Sequence, residues 1–289
     1  MSAAAPARAR FASIKSRYQA PGLTVRKVSK SFGGREVLKE VSLDILPAAI
    51  NFIIGRSGEG KSVLLKILTG LYQADSGSIM YGDLDLAKAS PKDWRRIRLR
   101  MGVLFQDGAL FDSMSLGQNV CFPLWFHGLA NKREARLKAE ELLGELGLEE
   151  AYDVRVSELS IGERKRVALA RALAVDPEAV FFDEPTTGLD PLLSAQVDEL
   201  IVHAQKKTGG TVVVVSHDMA ATLSLAANVT LLRQGRAVYS GPPEGLLTSS
   251  DEEARRFLAA VEIRARAKAP EGEVGARKAP KEAVDLNKG

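Results

Sequence analysis

The sequence predicts an α/β fold built on a parallel sheet with helices packed around it. Short runs of β-branched and aromatic residues alternate with longer segments of helical periodicity, which is typical of strand–helix–strand units. A Gly-rich loop leads from one of these strands directly into a helix. A long block with few strand signals lies between two later strands, and it predicts a second, helical lobe at about 107–160.

The individual elements are predicted from residue 23 onward. Short β-rich runs bounded by Gly, Asn or Pro predict strands at Leu23–Val28, Val41–Ile45, Ile50–Ile54, Gly102–Phe105, Ala179–Phe182 and Thr211–Val215. Apolar residues at helical spacing predict helices at Lys61–Tyr72, Lys132–Leu146, Gly162–Val175 and Pro191–Lys207. A hairpin of Val229–Leu232 with Ala237–Tyr239 is predicted to complete the domain.

Composition sets the limits of the folded domain. The chain has 289 residues, of which 45% are apolar and 26% charged, an ordinary globular composition. We predict a folded domain over 21–250 and a short helix over 251–263. Residues 264–289 lack periodicity and are predicted to form a disordered tail. Residues 1–20 are predicted to form a basic disordered tail; the alternatives are an amphipathic segment on anionic lipid and an organelle transit peptide.

The net charge of +4 comes from the beginning of the chain. Residues 1–30 carry seven of the 40 basic residues and no acidic residue, so the remainder has 33 basic and 36 acidic residues. A near-neutral body argues against a nucleic-acid partner. No apolar run approaches the ~20 residues of a membrane-spanning helix, so a role in membrane transport would be peripheral. Cys121 is the single cysteine, which excludes an intrachain disulfide.

A phosphate-binding loop between the strand Ile50–Ile54 and the following helix is the strongest local signal. Its residues match the pattern G-x-x-x-x-G-K-[ST]: Gly55, Arg56, Ser57, Gly58, Glu59, Gly60, Lys61 and Ser62. The glycines let consecutive backbone N–H groups face one concavity at the positive end of a helix, where phosphate oxygens bind. Lys61 is then expected to reach the β- and γ-phosphates of ATP, and the Ser62 hydroxyl to ligate Mg²⁺.

Two carboxylates at the end of a second apolar strand extend this site. Asp183 and Glu184 follow directly on the run Ala179–Phe182, so they lie at the carboxyl edge of a buried strand. Asp183 is placed to support Mg²⁺, and Glu184, one residue further on, to polarise the attacking water. Alone, such a pair would equally fit a strand that ends in surface acids. Beside a phosphate loop, it predicts hydrolysis of ATP.

Three further segments complete a recognisable series. They are Leu159-Ser160-Ile161-Gly162-Glu163, Thr186-Thr187-Gly188-Leu189-Asp190 and Ser216-His217-Asp218. With the phosphate loop and the acidic strand end, they occur in the order and spacing of an ABC ATPase, and the chain resembles that family from roughly Leu23 to Leu247. The resemblance implies a P-loop NTPase core with a parallel sheet, a small antiparallel β subdomain and an inserted helical subdomain. It also implies an ATPase that works as a dimer with a second copy of itself.

The resemblance implies roles for residues near the bound nucleotide. Phe32 lies where the family stacks an aromatic ring on adenine. Gln106 is similar to the lid glutamine that contacts Mg²⁺ and water and moves with the helical lobe. His217 resembles the switch histidine that contacts the γ-phosphate. Glu184 and Lys61, with Gln106 and His217, are therefore the predicted catalytic set.

The resemblance also implies contacts to the nucleotide of the partner subunit. Ser160 and Gly162 resemble the signature residues that hold the partner's γ-phosphate, and Asp190 resembles the aspartate that crosses the dimer interface. The family usually has Leu-Ser-Gly-Gly-Gln, whereas this chain has Ile161 and Glu163. A β-branched residue cannot adopt a glycine-only conformation, and Glu163 adds a negative charge near phosphate. A weakened or altered site in trans is therefore expected, and a symmetric dimer carries the change at both sites. The alternative is a second, different ATPase subunit that rescues one of them.

One stretch is similar to a narrower group, the Mce/Mla-type lipid-transport ATPases. The similarity lies in residues 108–114 (Gly-Ala-Leu-Phe-Asp-Ser-Met), in Phe-Pro-Leu at 122–124 and in residues 164–171. It implies phospholipid transport with an integral membrane permease and an Mce-domain protein, on the cytoplasmic face of the inner membrane. The alternatives are another ABC importer, for an amino acid or other small solute, and a soluble ABC ATPase of DNA repair or translation. One cassette and no basic body argue against the last of these.

Overall fold

The computed structural model describes residues 21–259. The strands are β1 Leu23–Phe32, β2 Arg35–Ile45, β3 Ile50–Ile54, β4 Ser76–Tyr81, β5 Leu84–Asp85, β6 Met101–Leu104, β7 Ala179–Asp183, β8 Thr211–Ser216, β9 Asn228–Arg233 and β10 Arg236–Gly241. The helices are α1 Lys61–Leu68, α2 Pro91–Arg98, α3 Leu116–Phe126, α4 Lys132–Glu145, α5 Ile161–Leu173, α6 Pro191–Thr208, α7 Met219–Leu225 and α8 Pro243–Leu247. Residues 252–259 are also helical. The remainder of the helix predicted over 251–263 and both predicted tails, 1–20 and 264–289, lie outside the described residues.

Two sheets form the framework. The larger has the strand order β10-β9-β3-β8-β7-β6, and its strands run parallel except for β10, which pairs antiparallel with β9. The smaller is antiparallel, with the order β2-β1-β4-β5. The predicted fold class, with its parallel sheet, antiparallel sheet and helices, is confirmed. The parallel pairing places the carboxyl ends of β3, β7 and β8 at one edge, where ligands bind in open α/β sheets.

The apolar core follows from the burial of β3, β7 and β8 on both faces, which is why these strands are continuous apolar runs. Alternate residues point to opposite sides of the sheet. One side packs on α3 to α6 and contains Phe52, Ile54, Val180, Phe182, Val212 and Val214. The other packs on α1 and the antiparallel sheet and contains Ile53, Phe181, Val213 and Val215. The helix that begins at the Gly-rich loop is thus held between the two sheets.

The block between β6 and β7 is helical, and a buried asparagine organises its entry. Asn119 is completely buried in α3, and its side-chain amide donates to the carbonyls of Phe111, Met114 and Ser115 at 3.1, 3.4 and 3.0 Å. Its Oδ1 accepts from Phe111 N at 2.8 Å. These bonds fold residues 111–115 back over the start of α3, whose capping box pairs Ser115 with Gln118.

Three differences from the predicted elements have local causes. Helix α1 ends at Leu68 instead of Tyr72, because Gly70 has φ +74° and a Cβ there would lie 2.4 Å from Trp94. Strand β4 was not predicted, since its beginning, Ser-Gly-Ser, has little β propensity. Helix α2 was also missed, although Ser90 and Asp93 form a capping box with Pro91 at the first helical position.

Candidate active site

The loop between β3 and α1 has a conformation that depends on glycine at two positions. Gly55 has φ +154°, and a Cβ there would lie 2.5 Å from the carbonyl oxygen of Leu232. Gly60 has φ +98°, and a Cβ there would lie 2.6 Å from Leu38. Gly60 is also the N-cap of α1, and a glycine has no side chain that could accept from the first turn. The N-cap residue therefore leaves the backbone N–H groups of that turn to a ligand, as an anion-binding helix start requires.

Lys61 is the buried cation of this loop. Its side chain is 4% exposed, and its Nζ donates to the carbonyl oxygens of Gly55 at 2.9 Å and Arg56 at 3.1 Å. A third contact, at 3.0 Å, joins Nζ to Oε1 of Glu184. Ser57 and Gly58 form the exposed tip of the loop. The ammonium group is thus held between the loop and the end of β7, where its charge acts in a poorly solvated site.

Glu184 directly follows β7 and has an unusual backbone. Its φ is +47°, a left-handed conformation that is costly for a residue other than glycine. Its N–H donates to the carbonyl of Val215 at 2.9 Å, which fixes this conformation against β8. Its Oε2 lies 2.7 Å from Nδ1 of His217 and accepts from Thr187 Oγ1 at 3.1 Å. Strained residues of this kind concentrate at functional sites.

The contacts of Glu184 change its acidity and that of His217. Burial raises the pKa of Glu184, but the hydrogen bonds from His217 and Lys61 outweigh it, so the pKa lies below the ordinary glutamate value. The hydrogen bond to Glu184 raises the pKa of His217 above the ordinary histidine value. Glu184 is therefore a carboxylate at neutral pH, and it favours the protonated form of His217.

Ser62 and Asp183 form an oxygen-rich pair beside this cluster. The Ser62 hydroxyl donates to Oδ1 of Asp183 at 2.8 Å. Burial raises the pKa of Asp183, and the hydrogen bond from Ser62 opposes that shift. A hydroxyl and a carboxylate at the mouth of a phosphate loop are the hard oxygen ligands that Mg²⁺ takes in proteins. The donor set therefore fits magnesium.

Gln106 lies just beyond β6 and is held through its backbone. Its carbonyl oxygen accepts from the buried Lys165 at 2.9 Å, and the carbonyls of Gly108 and Ala109 each accept from Arg171 at 2.7 Å. Burial lowers the pKa of both cations. Within residues 21–259, no hydrogen bond joins the Gln106 side chain to Asp183 or Glu184. The predicted lid glutamine is thus tied to helix α5, not to the carboxylates.

The two cations that hold this loop, Lys165 and Arg171, were not predicted from the sequence. A signal for Lys165 was present: it precedes the buried residues Ala168 and Ala172 by three and seven positions, so it lies on the core face of α5. A lysine at such a position needs a polar partner in the interior. The partner comes from a loop about 60 residues earlier in the chain, which no local pattern identifies.

Phe32 ends β1 next to a second aromatic ring. The rings of Phe32 and Tyr72 meet edge to face with centroids 5.4 Å apart, and Lys30 Nζ lies 5.4 Å from the centroid of the Phe32 ring. Phe32 is 42% exposed. A partly exposed ring supported by a second ring can present a flat surface to a nucleobase.

The three residues predicted to act in trans lie at the beginnings of α5 and α6. Ser160 caps α5, and Asp190 caps α6 by accepting from Leu193 N at 2.9 Å. A Cβ on Gly162 would lie 3.4 Å from Leu193, so the two helix starts are adjacent. Within the part of the chain that is described, no hydrogen bond connects these residues to the phosphate loop.

The two unusual signature residues have clear local explanations. Ile161 begins α5 with a helical backbone, so the predicted steric conflict with a glycine-only conformation does not arise. Its side chain is 57% exposed. Glu163 closes a capping box: its Oε2 accepts from Ser160 N at 2.9 Å and from Ser160 Oγ at 2.6 Å. These hydrogen bonds lower the pKa of Glu163, which is therefore a carboxylate at neutral pH.

Comparison with known families agrees with this geometry. The family model described as ABC transporter matches residues 38–187, more than half of the chain. This chain belongs to the ABC transporter family. The match begins in β2 and extends through the phosphate loop, the predicted lid glutamine, the predicted signature segment and the two carboxylates at the end of β7, Asp183 and Glu184. The chain therefore contains an ABC ATP-binding domain.

Three curated relatives show how broad the similarity is. The probable ribonucleotide transport ATP-binding protein mkl of Mycobacterium leprae is 39% identical over 82% of this chain and 68% of its own length. The intermembrane phospholipid transport system ATP-binding protein MlaF of Haemophilus influenzae is 35% identical over 82% of this chain and 89% of its own length. The methionine import ATP-binding protein MetN of Clostridioides difficile is 32% identical over 82% and 73%.

A solved structure supports the enzymatic assignment of this ABC domain. An ATP-binding cassette solved as a dimer in a post-hydrolysis state, bound to ADP and Pi, has a TM-score of 0.69 and 29% identity. The match covers 76% of this chain and 98% of that cassette. The domain binds and hydrolyses ATP.

Proposed function

We propose that this ABC domain is the ATPase subunit of a transporter that moves phospholipid, and that it acts as a dimer docked to an integral membrane permease. The ATPase mechanism rests on one observation. Beside the glycine-dependent helix start, Lys61 contacts Glu184, and Glu184 contacts His217. The extent of the match to MlaF, 89% of that protein, supports the lipid cargo.

The proposed chemistry is the addition of water to the γ-phosphorus of ATP. Lys61 and the backbone N–H groups of the first turn of α1 bind the phosphates, and Phe32 stacks on adenine. When bound, Mg²⁺ would neutralise charge on the phosphate oxygens, and Ser62, Asp183 and the Gln106 side chain would hold it. Glu184 accepts a proton from water while the water oxygen bonds to phosphorus and the bond to the ADP oxygen breaks. His217 orients Glu184 and contacts the γ-phosphate.

The dimer supplies the second half of each site. Ser160 and Gly162 of one copy hold the γ-phosphate bound by the other copy, and Asp190 crosses between the two. The dimeric, ADP- and Pi-bound state of the similar cassette supports this arrangement. Hydrolysis removes the γ-phosphate contact, and the dimer then opens as a rigid-body motion that drives the docked permease.

Glu163 gives the proposed trans site a specific weakness. Its carboxylate accepts a hydrogen bond from the Ser160 hydroxyl and places a negative charge close to the incoming γ-phosphate. Replacing Glu163 with Gln keeps an oxygen that can cap α5 and removes the charge. We expect the ATP concentration for half-maximal dimerisation to fall about three- to tenfold, measured by sedimentation at low salt in the Glu184→Gln background.

Glu158→Gln is the matched control for this experiment. Glu158 lies in the turn before the signature segment and is exposed. In the Glu184→Gln background, Glu158→Gln should leave the ATP concentration for half-maximal dimerisation unchanged. Equal or weaker dimerisation of the Glu163→Gln variant would mean that Glu163 belongs to an adapted site and does not weaken it.

A partly exposed aromatic row, formed by α3 and the loop before it, is the proposed permease contact. The row consists of Phe111, Phe122 and Phe126, with ring centroids 4.7 Å apart for the first pair and 5.6 Å for the second. Phe126 is 69% exposed and the neighbouring Trp125 37%. Contiguous exposed aromatic surface on a soluble protein marks an interaction site. Residues 21–259 contain no helix that combines the length and apolarity needed to cross a bilayer. The proposed permease contact would place the domain on the cytoplasmic face of the inner membrane.

A pull-down tests the partner and the cargo together. The tagged full chain is recovered from detergent-solubilised membranes of its source, and co-purifying proteins and lipids are identified by mass spectrometry. We expect a polytopic permease, an Mce-domain protein and phospholipid. Phe126→Ser should weaken permease binding about thirtyfold or more and reduce recovery accordingly, since an aromatic anchor contributes about 2 kcal/mol or more. Leu137→Ser, at a residue of α4 that is 58% exposed, is the control and should recover it fully.

The match to MetN supports a second candidate function, the ATPase subunit of an importer of a small solute. The pull-down separates the two. A solute permease without phospholipid would replace the proposed cargo and leave the ATPase mechanism intact. Recovery of no membrane protein would contradict the transporter proposal and favour an ABC ATPase that acts away from membranes.

A further inference from the structure

Arg233, at the end of β9, lies between two carboxylates from distant parts of the chain. Its Nη1 lies 2.5 Å from Oε1 of Glu59, which belongs to the phosphate loop. Its Nε and Nη2 both donate to Oε2 of Glu253, at 3.1 and 3.0 Å, and Glu253 belongs to the helical stretch 252–259. The Arg233 and Glu59 side chains are 11% and 12% exposed. Charge pairs with so little solvent contact are weakly screened.

The turn that follows β9 holds the same carboxylate from another direction. The second oxygen of Glu59 accepts a hydrogen bond from the backbone N–H of Gln234. The carbonyl of Leu232, one residue before Arg233, is the group that a Cβ on Gly55 would strike. The end of β9 therefore borders both the beginning of the phosphate loop and Glu59. In this arrangement, the Glu59 carboxylate points toward β9 and pairs with Arg233.

The helical stretch 252–259 presents Glu253 from a fixed position. Ala254 is completely buried and Phe257 is 3% exposed, and both belong to the main apolar core. The other oxygen of Glu253 pairs with Arg256 at 3.1 Å. Because the helix is packed into the core, Glu253 can orient the Arg233 guanidinium. Two N–H groups donate to Glu253 and leave Nη1 directed at Glu59.

We propose that Arg233 is a positioning residue for the phosphate loop and that it links the helix at 252–259 to ATP affinity. The inference rests on the proposed role of this loop as the ATP site. Glu59 brings a negative charge into a loop whose ligand carries several negative charges. Arg233 neutralises that charge and holds it away from the phosphates, and Glu253 keeps Arg233 in place. Displacement of the helix at 252–259 by a partner would therefore weaken ATP binding.

The first test measures ATP affinity of the full chain by titration calorimetry with ATP and Mg²⁺. We expect Arg233→Gln to raise the Kd about tenfold, which corresponds to one uncompensated charge near the phosphates at an effective dielectric of about 20. Glu253→Gln should raise it about threefold, because Arg233 remains but loses its orientation. Glu252→Gln is the matched control: Glu252 lies one residue earlier and pairs with Arg256. It should leave the Kd unchanged. Turnover at saturating ATP should stay at the wild-type level in all three variants.

A double variant separates charge positioning from a structural role. In Glu59→Ser/Arg233→Gln, the carboxylate that needs compensation is gone, so the Kd should return to within about twofold of that of Glu59→Ser alone. A double variant as weak as Arg233→Gln, or an Arg233→Gln variant with wild-type Kd, would overturn the inference. Failure of the wild-type chain to bind ATP would refute the ATP site itself. That result differs from the two results that would overturn only the role of Arg233.

Discussion

Replacing Glu184 with Gln is expected to lower steady-state ATP hydrolysis about 100- to 1,000-fold while ATP binding is retained, because general-base catalysis contributes factors of this size. The amide oxygen can still accept from Lys61, and the amide NH2 can donate to Nδ1 of a neutral His217, so the geometry of the phosphate loop persists. It cannot take a proton from water. ATP therefore stays intact between two copies, and the variant should elute as a dimer in ATP and as a monomer after ATP is removed.

Phosphate release and size-exclusion chromatography measure these outcomes. Glu199→Gln makes the same chemical change at an exposed position of α6 and should retain full turnover. Glu184→Gln also tests the electrostatic pairing of Glu184 with His217, because the hydrogen bond to Glu184 raises the pKa of His217. In Glu184→Gln, the His217 resonances should titrate at a lower pH than in the wild-type protein. Undiminished turnover in Glu184→Gln would remove Glu184 from the role of base.

Replacing Lys61 with Ala is expected to weaken ATP binding about 100-fold or more, since a charge-assisted contact to phosphate in a poorly solvated loop contributes about 3 kcal/mol. The Lys61 side chain also bridges the loop carbonyls of Gly55 and Arg56 to Glu184. Its loss thus removes both the phosphate contact and the link from the loop to the base. Hydrolysis should fall in parallel with binding.

Equilibrium binding of ATP and thermal unfolding are the measurements for this variant. A cooperative thermal transition distinguishes a lost ligand contact from a damaged fold. We expect the variant to keep such a transition without nucleotide, at a lower midpoint because Glu184 loses its buried cation. Lys88→Ala is the matched control, because the Lys88 side chain is 82% exposed and pairs with Asp85 at the surface. Normal ATP binding by Lys61→Ala would contradict the assignment of the phosphate loop.

The strands and the Gly-rich loop could be predicted because their signals are local. Strands β3, β7 and β8 are buried on both faces, so each appears as a continuous apolar run. The loop needs glycine at positions 55 and 60 for positive φ and close backbone approach, and both requirements are visible in the sequence. Strand β4 begins with Ser-Gly-Ser and has no such local signal. Its pairing with β1 and the packing of Ile79 stabilise it.

The sequence by itself determined which residues are proposed to bear the chemistry, since the phosphate loop, the pair of acids after a strand and the segment with the predicted switch histidine are each contiguous. Only the tertiary structure decided how they are held. Glu184 meets His217 because β7 and β8 pair in parallel and end at one edge. Gln106 meets Lys165 and Glu59 meets Arg233 across about 60 and 170 residues of chain. Such pairings depend on packing of the whole domain, which residue spacing along the chain does not encode.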